Sequence, residues 1–262
     1  MAEIEVSYDG HVATLLLNRP ERMNTISQSM LSMLSKELLD CDRNPDIRAI
    51  VISGAGRAFC AGLDLQDAAT DEGVTKGGFA LGVKLEAREF PPNVLHHLDT
   101  PTICAVNGGA AGFGLDLALC CDIRIAGQSA KLAAVFTRRG VVPESGGTWL
   151  LPRLIGWAKA AEIVFTGRTL GAEESLELGL VNQVVEDAAL LDAARSLASE
   201  IADNAPLAVQ AAKRMMRAGL SEGFDENVER VYLQVLPLLK SRDFREGFSA
   251  FLEKRKPEFE GR

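Results

Sequence analysis

Ile4, Val6 and Tyr8 alternate with polar neighbours, Asp9-Gly10 interrupts the run, and an apolar stretch resumes from Val12 to Leu17. That alternation and its break predict a β-hairpin opening a sheet. The period then lengthens. Met30, Leu31, Leu34 and Leu38 recur at helical spacing behind Ser27, whose hydroxyl suits an N-cap. Arg48 to Ser53 (RAIVIS) and Thr102 to Val106 predict short buried strands, stopped by Gly54-Ala55-Gly56 and Gly108-Gly109, and Ile123 to Ala126 predicts a third. Helical patterns lie between them, including Leu115 to Cys121. Strand and helix thus alternate, which argues for crossover units and a largely parallel sheet.

Residues 66 to 92 break this rhythm with Gly73, Gly77, Gly78, Gly82, Pro91 and Pro92 among scattered charges, predicting a mobile or weakly helical segment. Beyond about residue 145 the pattern turns helical. A short helix ends over Leu176 to Gly179, and Val181 to Val185 is extended. An alanine-rich helix covers Asp187 to Asp203, another starts at Pro206, and two more run through Val228–Leu236 and Phe244–Glu253. The expected layout is an α/β core over residues 1–200 and a helical C-terminal region over 201–262.

The 262 residues are 47% hydrophobic and 24% charged, enough to bury a full core without disulfides or a structural metal. A formal charge of −8, from 28 basic and 36 acidic residues, argues against a general nucleic-acid binder. Cys41, Cys60, Cys104, Cys120 and Cys121 are odd in number and lack CxxC spacing, so they read as core residues in a reducing compartment. The opening Met1-Ala2-Glu3-Ile4-Glu5 carries no basic or apolar leader, and no apolar run reaches the ~20 residues of a membrane span. The expectation is a cytoplasmic protein.

Several chemistries drop out. His11, His96 and His97 have no metal-ligand spacing, there is no G-x-S-x-G elbow, and no phosphate-binding G-x-x-x-x-G-K-[ST]. Gly54-Ala55-Gly56 starts a dinucleotide fingerprint that fails at Phe59, where the third glycine belongs. Two other loops fit each other better: residues 57–64 (RAFCAGLD) and 107–116 (NGGAAGFGLD). Each follows a buried strand, and each is built of small residues that let a ligand approach the backbone. The second runs into a helix, whose first N–H groups lack intrahelical partners. Two such donors converging on one carbonyl oxygen would stabilise an enolate.

Taken together, five ordered segments resemble the crotonase superfamily of enoyl-CoA hydratases and isomerases, from Ile4 to Arg262. They are NRPERMN, FCAGLDL, AVNGGAAGFGLDLALCCDIRIA, RRGVVPESGGTWLLPRLIG and FREGFSAFLEKRKPEF. The last two most resemble bacterial isomerases of the phenylacetate-degradation type. The resemblance implies a spiral of ββα units with a helical C-terminal region.

It also implies roles. Leu63 matches the first backbone oxyanion donor, after Ala61-Gly62, and Phe113 the second. Phe113 stands where the family often has glycine, so its side chain is expected to narrow the acyl pocket. Asp116 matches the first catalytic carboxylate, which in hydratases is glutamate. The hydratases' second glutamate falls on Phe136, a departure from that pattern. Glu144 matches the base of several enoyl-CoA isomerases. Arg22 and Met23 match the CoA loop, backbone groups at Ala61 and Asp64 are expected to face the nucleotide, and Phe251 and Lys254 match positions that complete a CoA site.

Double-bond migration needs one base, whereas hydration in this family uses two carboxylates to hold water. The resemblance with this departure therefore implies a Δ3 to Δ2 enoyl-CoA isomerase, with Glu144 acting alone and Asp116 orienting it, holding a water or polarising the substrate. A hydratase using both acids is the alternative, and a non-catalytic binding protein a remoter one. No metal is implied, and coenzyme A enters as part of the substrate. The expected assembly is a homotrimer or a dimer of trimers.

Overall fold

The computed structural model describes residues 2–64 and 89–262. β1 (Ile4–Asp9) and β2 (Val12–Leu17) form the expected antiparallel hairpin, with Ile4 opposite Leu17 and Asp9 opposite Val12. α1 (Gln28–Arg43) starts where Ser27 Oγ accepts the Met30 N–H at 3.2 Å. β3 (Ala49–Gly54) leads into β4 (Ala58–Cys60), β5 (Thr102–Val106) into β6 (Gly109–Ala111), and β7 (Ile123–Gly127) into β8 (Lys131–Ala133). Between these pairs lie α2 (Pro91–His97) and α3 (Phe113–Leu119). Then come α4 (Gly147–Ile155), α5 (Trp157–Thr166), β9 (Thr169–Gly171), α6 (Ala172–Glu177) and β10 (Gln183–Val185). The chain finishes in α7 (Leu190–Ala202), α8 (Pro206–Gly219), α9 (Phe224–Leu238) and α10 (Arg242–Glu253).

Among the described residues, two sheets form, ordered β1-β2-β3-β5-β7-β10 and β4-β6-β8-β9. From β2 onward the larger sheet is parallel, and β4, β6 and β8 are parallel in the smaller one. Each pair places one strand in each sheet, so the chain winds as a spiral of repeated strand-strand units.

Strand alternation decides what the larger sheet packs against. Leu15, Leu17, Ile50, Ile52, Cys104 and Val106 enter the main core with Leu34 and Leu38 of α1. Val12, Ala49, Val51, Ile103, Ala105 and Ile125 point the other way, onto Ala194, Ala198 and Ala202 of α7. Both faces are covered, which is why RAIVIS reads as a continuous apolar run rather than an alternating one. The alanines recur every fourth residue, so α7 can lie close against the strands.

Three expectations change. Of the segment over residues 66 to 92, residues 66–88 lie outside the described residues, but Pro91 and Pro92 open α2. Proline at the first helical positions gives up an N–H that would lack a partner anyway. The alanine-rich helix is divided: Asp187–Ala189 is a 3-10 turn, and α7 follows it. α3 begins at Phe113, two residues before the pattern predicts, so Phe113 and Gly114 stand in its first turn. None of the described helices is long and apolar enough to cross a membrane.

Candidate active site

The two glycine-rich loops meet beyond the carboxyl ends of β3 and β5. A Cβ on Gly114 would stand 2.0 Å from the carbonyl oxygen of Cys60, so α3 starts directly against the backbone of β4. One bridge fixes the first loop: Ile26 N donates to Gly62 O, and Asp64 N donates to Ile26 O, both at 2.9 Å. In a parallel bridge the residue between those two groups turns its own N–H away from the partner. That residue is Leu63, and among the described residues its N–H has no partner. Phe113 carries the other donor, at N1 of α3, where no preceding turn can accept it. Phe113 itself is 2% exposed and packed in the main core.

One turn along α3 lies Asp116, fully buried at 0% exposure. Its Oδ2 accepts the Ser145 N–H at 3.2 Å, whereas Oδ1 forms no full hydrogen bond. Burial is the main reason its pKa rises to about 7; the nearby Glu144 charge adds to the rise, and the Ser145 and Gly147 amides oppose it. A Cβ at position 147 would stand 2.3 Å from Asp116 Oδ1, so any residue larger than glycine there would force the carboxylate to move. Glu144 itself is exposed, in the turn just before α4. Partial desolvation nonetheless raises its pKa above the ordinary carboxylate value. Phe136 is buried and offers no polar group.

A cationic loop flanks the loop over residues 57–64. Pro20–Arg22 is a 3-10 turn followed by Met23 and Asn24, both with left-handed backbone at φ 51° and 53°. Arg22 Nη2 donates to Asp64 Oδ1 at 2.9 Å, and Arg19 Nη2 donates to Asp64 Oδ2 at 3.1 Å. Ala61 N donates to Met23 O at 3.1 Å, tying the two loops together. The amides of Ala61 and Asp64 are therefore spent inside the protein, and the carbonyls are what those residues can turn towards a nucleotide.

Phe251 and Lys254 stand apart. The C-terminal helices are anchored at the amino ends of the strands. Lys213 Nζ donates to Thr100 O at 2.9 Å, Arg48 Nη2 donates to Phe259 O at 2.7 Å, and Lys256 pairs with Asp203 at 2.7 Å. Phe251 is 81% exposed, and Lys254 ends α10 with left-handed backbone. One chain therefore brings Leu63, Phe113, Asp116, Glu144, Arg22, Met23, Ala61, Gly62 and Asp64 to one end of the sheet, but not Phe251 or Lys254.

Sequence reasoning passed over two asparagines. Asn24 Nδ2 donates to Ala55 O at 2.9 Å and to Ala58 O at 2.7 Å; Asn107 Nδ2 donates to Gly56 O at 2.9 Å, while its Oδ1 accepts the Gly54 N–H at 3.0 Å. They lock the turn between the sheets. The available signal was Asn107 at the start of the second glycine-rich loop; Asn24 ends the NRPERMN segment, far from the first loop in sequence.

The family described as enoyl-CoA hydratase/isomerase matches residues 8–262. This chain belongs to that family. The two-sheet spiral is the crotonase fold, and its members named below are enzymes. The chain is 42% identical to 1,2-epoxyphenylacetyl-CoA isomerase of Escherichia coli strain K12, over 96% of this chain and 95% of that one. It is 38% identical to (E)-benzylidenesuccinyl-CoA hydratase of Thauera aromatica, over 98% of both. The solved structure of enoyl-CoA hydratase from Bacillus anthracis superposes with a TM-score of 0.93, at 35% identity and full coverage of both chains. In this crotonase-family chain, the Leu63 and Phe113 amides and the acids Asp116 and Glu144 stand on loops and a short helix buttressed by both sheets.

Proposed function

We propose that this crotonase-family chain is an enoyl-CoA isomerase that moves a double bond from Δ3 to Δ2. The observation that carries this is the unequal standing of its two acids: Glu144 is exposed, whereas Asp116 is wholly buried. One accessible carboxylate suits a proton shuttle better than a site that must hold water between two. Glu144 takes a proton from C2 of a 3-enoyl thioester, and the electron pair delocalises onto the thioester oxygen. The N–H groups of Leu63 and Phe113 hold that oxyanion, each worth about 3–4 kcal/mol in such a site. Glu144 then returns the proton at C4, giving the 2-enoyl thioester with no net change in atoms. The Arg22 and Met23 loop would receive the nucleotide of CoA, which belongs to the substrate, so no separate cofactor is needed.

Hydration is the second reading. It is favoured by the Glu144 charge, which adds to the upward shift of the Asp116 pKa and so couples the two acids. A panel of 3-enoyl-, 2-enoyl- and 3-hydroxyacyl-CoA substrates, with products separated by mass, tests both. Rapid interconversion of the two enoyl isomers with slow water addition is expected. Fast hydration with little migration would replace the isomerase reading.

The assembly belongs to the same proposal: a homotrimer, or two trimers, in which Phe251 and Lys254 complete a neighbour's CoA site. In support, α9 and α10 expose Phe224, Tyr232, Leu233, Phe248, Phe251 and Leu252 at 60–82%.

A further inference from the structure

We propose that Cys120 is a positioning residue for Glu144, its thiol holding the turn on which the base stands. The proposal rests on the reading of Glu144 as the base and gives a task to a buried side chain that the reading does not use. Ser145 follows Glu144 in the chain and is 4% exposed. Both polar groups of its backbone are taken by side chains from α3 and its C-cap. Asp116 Oδ2 accepts the Ser145 N–H at 3.2 Å, and the Cys120 thiol donates to the Ser145 carbonyl oxygen at 3.6 Å. Cys120 comes four residues after Asp116, and its own N–H donates to Asp116 O at 3.0 Å. The two side chains therefore stand one above the other on one face, and together they grip a single residue of the turn.

Three further observations make this grip a fixed one. Gly146, next in the turn, has left-handed backbone at φ 110°, and a Cβ there would stand 3.5 Å from Cys120 Sγ. The sulfur thus packs against the turn as well as bonding to it. Burial, with the Asp116 charge adding to it, pushes the Cys120 thiol well above its usual value, so the proton stays in place as a donor at neutral pH. Arg124 anchors the end of the helix that carries Cys120. Its Nη1 donates to Cys121 O at 2.6 Å and its Nε to Leu180 O at 2.7 Å, and the residue is 4% exposed.

Glu144 needs such support because its turn lies outside α4, which starts at Gly147. A base that takes a proton at C2 and returns it at C4 must serve both carbons from one seat, and a reactive side chain keeps its direction only if the groups beneath it are held. A thiol is a weak donor, so Asp116 supplies the stronger half of the grip and Cys120 the half that sets its direction. The contact is made on the turn of the base and not on the loop of Arg22 and Met23, so its loss is read in kcat rather than in KM.

The test compares wild type, Cys120→Ala, Cys120→Ser, Glu144→Gln and the Cys120→Ala/Glu144→Gln double variant on the full chain, with an enoyl-CoA substrate, at a temperature where melting curves show all five folded. Alanine and serine leave nearly the same space, so that pair separates the donor from packing. If the thiol orients the turn, Cys120→Ala lowers kcat about tenfold and leaves KM within about twofold. Cys120→Ser then recovers part of kcat, because its hydroxyl can donate to the same carbonyl. In the Glu144→Gln background, Cys120→Ala costs nothing more. An unchanged kcat in Cys120→Ala, equal losses in the alanine and serine variants, or a loss repeated in full in the Glu144→Gln background overturns the proposal and makes Cys120 a packing residue. Glu144→Gln as fast as wild type, or a wild type that turns over no enoyl-CoA, overturns the proposal and the base reading together. A slow Glu144→Gln beside an undiminished Cys120→Ala overturns this proposal alone. A chain that hydrates through Glu144 rather than isomerises leaves it intact.

Discussion

Asp116 is an acid kept out of water with half of its carboxylate unpartnered, and its behaviour with pH follows from that. Its pKa is about 7 in the folded protein against an ordinary 3.8, so the folded state holds the proton more tightly than the unfolded one. Stability on this account falls as pH rises from about 4 through 7, by an amount on the order of 2 kcal/mol or more. Asp116→Asn removes that slope, so its Tm advantage over wild type should widen between pH 5 and pH 8. The same variant separates the acids in catalysis. Glu144→Gln cannot take the C2 proton and should lower isomerisation by about 10²–10⁴-fold, with CoA affinity nearly unchanged. Asp116→Asn should cost far less if Asp116 only holds the Ser145 turn. Equal losses in both variants would point to two carboxylates sharing one water.

At the scale of elements, the proposed oxyanion site is backbone that two loops leave unpaired among the described residues. Leu63→Ala keeps the N–H and should keep much of the activity, whereas Leu63→Pro removes a donor worth about 3–4 kcal/mol. CoA titration alongside shows whether the loop still stands, and complete loss in both variants would count against Leu63 as a donor. The strands were legible because burial on both faces leaves runs such as RAIVIS, and the hairpin because Tyr8 and Val6 alternate with polar residues. α2 was not, since two prolines read as a loop until their place at the helix start is seen. The Arg22–Asp64 pair was hidden for a different reason: its partners lie 42 residues apart, and no local period connects them. The burial of Asp116 was equally unreadable, because it depends on how closely glycine at 147 lets α4 approach.

For the whole molecule, the C-terminal helices matter most. The sequence showed their length and the positions of Phe251 and Lys254 but not that they would stand at the opposite end of the sheet from Arg22. An apolar groove of about 560 Å³ lies beside them, lined by Ala208, Leu238, Phe244, Phe248, Phe251 and Phe259. Apolar exposure on that scale is unusual for a lone chain in water. Sedimentation at micromolar concentration should give a trimer or hexamer, and Phe248→Asp should shift it towards smaller species. A monodisperse wild-type monomer would remove the assembly proposal.

The five cysteines have a bearing on how the protein ages. All are free and buried. Burial pushes the Cys41 thiol up to about 11 and the Cys60 thiol up to about 12, and holds Cys104 and Cys120 well above their usual value. At neutral pH these thiols are almost never thiolates, so oxidants and alkylating agents have little to attack while the chain stays closed. Each opening returns them to an ordinary reactive state. Damage in an oxidising solution is then paced by how often the core opens, and a transient breath becomes a permanent loss.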